Sequence, residues 1–124
     1  MKRSIAAIVL LVLIIGAYIF NYTYVNNTCK KTDDILENCI EIYKSGQDAT
    51  EKAKELKNYW TDKEPFLSLF ANHSMIDDIE LAISSLTVYT DTKNNAIFYE
   101  YSGTIKTLLH QMIEDTRPTM HSVF

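Results

Sequence analysis

Residues 5–20 read IAAIVLLVLIIGAYIF and carry no charge. Few other features constrain a chain of this size as strongly. As a helix the run rises about 24 Å, slightly short of a hydrocarbon core of roughly 30 Å. Continuing through Asn21, Tyr22, Thr23, Tyr24 and Val25 brings it to about 31 Å, with Tyr18, Tyr22 and Tyr24 at the outer interface, where amphipathic rings are favoured. Ile5, Leu10, Ile15 and Phe20 mark the lipid-facing anchor. Lys2 and Arg3 stand before the run and favour the cytoplasm, with Lys30 and Lys31 opposing weakly from the far flank. The expected topology is a single pass in the cell membrane, with the N-terminus cytoplasmic and the C-terminal domain outside. A cleaved signal peptide is the rival reading. The run is at the long end for that, and Gly16-Ala17, the one small-residue site near its end, has Ile15 where cleavage wants a small residue.

The other hundred or so residues allow one small domain. With 16 acidic against 12 basic residues, and Lys2 and Arg3 ahead of the run, that part is acidic. It lacks the clustered Lys and Arg that phosphate backbones require, so no nucleic-acid partner is expected. The 3 Gly and 2 Pro are too few for an all-β fold with many tight turns. Two cysteines, Cys29 and Cys39, make neither a disulfide scaffold nor a metal knuckle.

Apolar residues beyond the run recur at helical spacing. The expected fold is all-α: a transmembrane helix followed by an antiparallel bundle of about four helices. The expected divisions are an anchor at 1–25, a juncture at 26–32, the bundle at 33–118 and a tail at 119–124. Thr32 is placed to cap a helix over 33–45, with Ile35, Leu36, Cys39, Ile40, Ile42 and Tyr43 on one side and Gly46 as its stop. Asp48 and Glu51 have capping-box spacing for a second helix ending near Asp62, with Ala49, Ala53, Leu56 and Trp60 as its stripe. Pro65 suits the first turn of a third helix over 65–89, in which Leu69, Ile76 and Ile83 repeat every seven residues. The fourth, 94–116, carries Phe98, Tyr101, Ile105, Leu108 and Met112 on one face, and Arg117-Pro118 ends it. Asn21, Asn26 and Asn72 open glycosylation sequons, a short pattern that arises readily by chance.

Chemistry-bearing constellations are sparse. His73 with Asp77, and His110 with Glu114, have the i, i+4 spacing of ligands on one helical face. His110 falls on the polar side of its helix, so the two pairs are not expected to converge. No nucleophile elbow, phosphate-cradling glycine loop or zinc-protease helix is present. The expectation is a non-enzyme without a cofactor. Trp60, Phe70, His73 and Tyr101, with Val123 and Phe124 in the tail, are the candidates for a partner or pocket surface.

The charged start with one apolar helix, Trp60 ahead of Pro65-Phe66, the segment NHSMIDDIE at 72–80 and the ending TMHSVF together carry a resemblance. The chain resembles a family of short, uncharacterised, membrane-anchored proteins of spore-forming Gram-positive anaerobes, described as a domain of unknown function. Members of that family often carry Asn where this chain has Ser122. The resemblance implies no activity; it implies an accessory partner in the same membrane. The reading is therefore a single-pass protein whose outer bundle is an interaction module for another membrane or envelope protein. The alternative is a ligand-sensing bundle that signals through a partner, with a pocket near Phe70, His73 and Tyr101.

Overall fold

The computed structural model of the chain describes residues 1–90 and 95–116. They form four helices: α1 Lys2–Lys44, α2 Thr50–Leu67, α3 His73–Val88 and α4 Asn95–Thr116. Each packs against two neighbours, α1 with α2, α2 with α3, α3 with α4 and α4 with α1. The result is an up-down-up-down ring in which the second half of α1 is one of the four bundle members.

The largest difference from expectation is α1 itself. Residues 26–32 are not a juncture, because one helix of 43 residues, about 65 Å long, runs through them. Neither Gly nor Pro occurs between Gly16 and Gly46, so nothing interrupts the backbone ladder. Thr32 is not a cap. It is fully buried in mid-helix, and its Oγ1 donates to the Thr28 carbonyl one turn back at 2.7 Å. A hydroxyl that bonds its own helix in this way can enter a core without an orphaned donor. Gly46 does end the helix as expected. Its φ of +83° is the left-handed conformation in which a β-carbon is strained, and Gly46 N and Gln47 N close back on the Tyr43 and Ile42 carbonyls.

The next boundary also moves. Pro65 does not open a helix; it lies in the last turns of α2, which runs on to Leu67. Only a few residues follow it, so the missing N–H costs little of the ladder. The chain then reverses over residues 68–72. Ser68 N and Oγ bond the Glu64 and Pro65 carbonyls, and Ala71 N bonds the Leu67 carbonyl at 2.8 Å. Asn72 is the N-cap of α3, with its side-chain oxygen accepting from Ser74 N at 2.8 Å. Asp48 accepts from the backbone and hydroxyl of Thr50 ahead of α2, a local turn in place of the reciprocal box with Glu51. Those hydrogen bonds, the side-chain one first, hold its carboxyl below the ordinary range.

Each helix presents a seam that advances by alternating steps of three and four, with one full step of seven from Trp60 to Leu67 in α2. In α1 it is Val25, Cys29, Thr32, Leu36 and Cys39; in α2, with Ala49 just ahead of it, Ala53, Leu56, Trp60 and Leu67. In α3 it is Ile76, Ile79, Ile83 and Leu86; in α4, Phe98, Ser102, Ile105, Leu109 and Met112. This is the knobs-into-holes spacing of bundles. The α4 seam passes through Ser102 and Leu109 rather than Tyr101 and Leu108, which are half-buried beside it. Ser102, like Thr32, bonds the carbonyl one turn back, at 2.9 Å from Phe98 O.

At the end where α1 finishes, Tyr43 stacks on Phe98 with centroids 3.7 Å apart and donates to Asn95 Oδ1 at 2.7 Å. The Thr50 and Thr90 hydroxyls meet at 3.0 Å, tying the start of α2 to the end of α3. Along the side, Lys106 on α4 bridges Asp33 at 2.9 Å and Glu37 on α1. Partial burial disfavours its charge, but the bonds to Glu37 and Asp33 outweigh that and raise its pKa above the ordinary lysine value.

Trp60 and Lys106 therefore separate by mechanism. Trp60→Ala opens a cavity in the seam and is expected to cost about 3–5 kcal/mol. Lys106→Ala removes a partly exposed ion pair and is expected to cost about 1 kcal/mol or less. Denaturant unfolding of both variants in detergent micelles checks the order.

Candidate functional site

The chain changes character within one turn of α1. Ile5, Leu10, Ile15 and Phe20 are 50–61% exposed, whereas Val25 is fully buried. No residue of the apolar stretch is buried by the rest of the fold, and α1 is the one helix among the described residues long and apolar enough to cross a membrane. The boundary is an aromatic junction. Phe20 and Tyr24 on α1 meet Phe66 and Phe70 from the α2–α3 reversal, with centroid separations of 5.0–6.3 Å and mostly edge or tilted geometry. The antiparallel run of α2 sets the register, placing Phe66 level with Tyr24 and Phe70 level with Phe20.

The sequence candidates scatter around this frame. Phe70 is half-buried in the junction. Trp60 is fully buried in the α2 seam and offers no partner surface; its indole nitrogen is buried without a hydrogen-bond partner. His73 is exposed as the first residue of α3. Tyr101 stacks on Tyr89 at 5.8 Å, toward the other end of the bundle. Phe70, His73 and Tyr101 thus do not line a common pocket. Phe70 instead borders a shallow recess of about 250 Å³ with Asn72, Met75, Met112 and Asp115. Val123 and Phe124, like Arg117 and Pro118, lie outside the described residues.

His110 sits 4.0 Å from Glu114, largely exposed, in the α1–α4 groove beside Cys29 and Lys30, away from His73 on α3. Among the described residues no three His, Cys, Asp or Glu side chains group to hold a metal ion. Both cysteines are buried and unbridged. Burial pushes the Cys29 thiol up to about 12, and the Cys39 thiol up to about 11 with Lys52 opposing weakly.

One cluster was not anticipated from the sequence. Because α2 continues through residue 64, Glu64 faces α3, where Glu80 and Asp77 stand. Glu64 Oε1 is buried without a partner. Burial, then the charge of Glu80 and a side-chain hydrogen bond with it, then the charge of Asp77, raise the Glu64 carboxyl from an ordinary 4.5 to about 7. With α2 expected to end near residue 62, nothing in the sequence turned Glu64 toward α3.

Fold and junction together define a class: an all-α protein in which a four-helix bundle grows without a break from an apolar helix of membrane-spanning length. Within that class the chain belongs to the family of the domain of unknown function DUF4363, whose family model matches residues 19–123. The match begins where the exposed apolar run ends and takes in the whole bundle. No curated protein and no solved structure matches the chain.

Two outcomes follow from the buried groups. The folded state holds the Glu64 proton more tightly than the unfolded chain, so stability is highest below about pH 4.5 as far as this group is concerned. It falls as pH rises through about 7. Glu64→Gln is expected to flatten that slope and to raise the melting temperature at pH 8 by a few degrees, read from thermal melts at pH 5 and pH 8. The thiols are expected to react with maleimide only on unfolding; rapid native labelling of Cys29 would contradict its burial.

Proposed function

We propose that the protein is a single-pass membrane protein whose N-terminus is cytoplasmic. In this reading its bundle lies outside and acts as a non-enzymatic interaction or accessory module for another membrane or envelope protein. The observation that carries the reading is the continuity of α1 from Lys2 to Lys44. A helix without a hinge holds the bundle close to the bilayer in a set orientation, which suits a surface that must meet a neighbour in the same membrane. The basic start at Lys2 and Arg3 supports the orientation.

The outer face of α3 supports the interaction role. Leu81 and Val88, two turns apart on one helical face, are 68% and 64% exposed. Such a stripe is better suited to a partner helix than to water. A pocket near Phe70, His73 and Tyr101 would have favoured the ligand-sensing alternative, and those residues lie apart.

Photocrosslinking residues at positions 81 and 88, irradiated in native membranes, are expected to capture one specific membrane or envelope protein, identified by mass spectrometry. Capture of nothing at either position, with the protein monomeric in the same membranes, would overturn the proposal.

A further inference from the structure

The α2–α3 reversal exposes more apolar surface than a turn ordinarily does. Leu69 at its tip is 70% exposed, Phe66 behind it is 45% exposed, and Phe20 on the adjoining turn of α1 is 55% exposed. A turn facing water is normally built from Gly, Asn, Asp or Ser. Here the polar residues of the reversal, Ser68 and Asn72, are occupied by bonds to the backbone, and Leu69 is left projecting.

The position of this corner along α1 gives it a role. The apolar run rises about 24 Å against a hydrocarbon core of roughly 30 Å. The missing 6 Å or so is four residues of helix, 21–24, and Asn21, Tyr22 and Thr23 are poor lipid-facing side chains. The ring contacts of Phe20 and Tyr24 with Phe70 and Phe66 place the α2–α3 corner beside those same residues. The apolar surface that the helix lacks at that depth is supplied by the corner. On the α4 side of the junction Asp115 lines one recess with Tyr18, Asn21 and Phe70. A carboxylate there favours water, which leaves Leu69 and Phe66, neither of which lines that recess, as the residues of the corner best placed to meet lipid. The corner carries no cluster of Lys or Arg, which points to the headgroup–acyl boundary itself rather than to anionic headgroups.

We propose that the α2–α3 corner, with Leu69 at its tip and Phe66 and Phe70 behind it, is a second membrane contact, seated at the headgroup–acyl boundary of the leaflet from which α1 emerges. The proposal rests on the reading of α1 as a retained anchor. The contact completes a short span and fixes the tilt of the bundle over the membrane.

The test uses the full-length protein in phosphatidylcholine vesicles, with an environment-sensitive fluorophore on Leu69→Cys, Leu13→Cys or Val88→Cys; the unsubstituted protein, treated alike, gives the background of the buried native thiols. All three positions are exposed, so the substitutions leave the packing intact. Nitroxide lipids labelled near the top of the acyl chain are expected to quench the Leu69 probe several-fold more than the Val88 probe, and aqueous iodide to quench it several-fold less. A Leu69 probe that behaves like Val88 while the Leu13 probe is lipid-quenched overturns the second contact and leaves the anchor standing. A Leu13 probe open to iodide overturns both.

Discussion

One helix carries two surface patterns. In α1 every backbone group between the first and the last turn is satisfied inside the helix, the condition for a segment that meets hydrocarbon and equally suitable for a buried bundle member. The backbone is therefore indifferent to the change of surroundings, and only the side chains register it. Before residue 20 apolar groups point in all directions; from Val25 onward they gather on one side, along the seam and beside it at Ile35, Ile40, Ile42 and Tyr43. The other three helices close around that seam, so their register is set by where α1 changes from one pattern to the other.

The seams show how such a bundle tolerates hydroxyls in its interior. Thr32 and Ser102 replace apolar knobs, and each directs its hydroxyl to the carbonyl one turn back. Both are small, which lets neighbouring helices approach, while Trp60 and Phe98 fill the wider levels. Electrostatics contributes less. The Lys106 bridge to Asp33 and Glu37 is more than a third exposed, and a pair of that kind aligns α4 on α1 more than it stabilises the fold. Glu64 works the other way: a carboxyl facing Glu80 and Asp77 across α2 and α3 weakens that interface as it ionises.

Much of the architecture was legible in the sequence because it rests on periodicity. The all-α class, the four members of the bundle and the stops at Gly46 and before α4 follow from spacing and from residues that break helices. The boundaries that moved share a cause. Thr32 and Pro65 each have a strong local preference, to cap and to begin a helix, and in both cases packing along a continuing helix prevailed. Trp60 continues the α2 stripe, which points to the core, and is a surface candidate only because a large aromatic serves core and interface alike; its full burial in the α2 seam agrees with the stripe. The aromatic junction and the Glu64 cluster could not be anticipated, since both join residues whose separation in sequence spans a turn placed several residues too early.

The sequence by itself determined that an uncharged run of sixteen residues behind Lys2 and Arg3 forms an apolar helix of near-spanning length ahead of an acidic amphipathic remainder, since transfer free energy depends on composition and needs no fold. Only the tertiary structure decided that the apolar run and the bundle share one continuous helix, and that Phe66 and Phe70 come to lie beside Tyr24 and Phe20. Those facts depend on the rotational phase and axial level at which helices dock, and these are properties of the packed seams, not of any one segment.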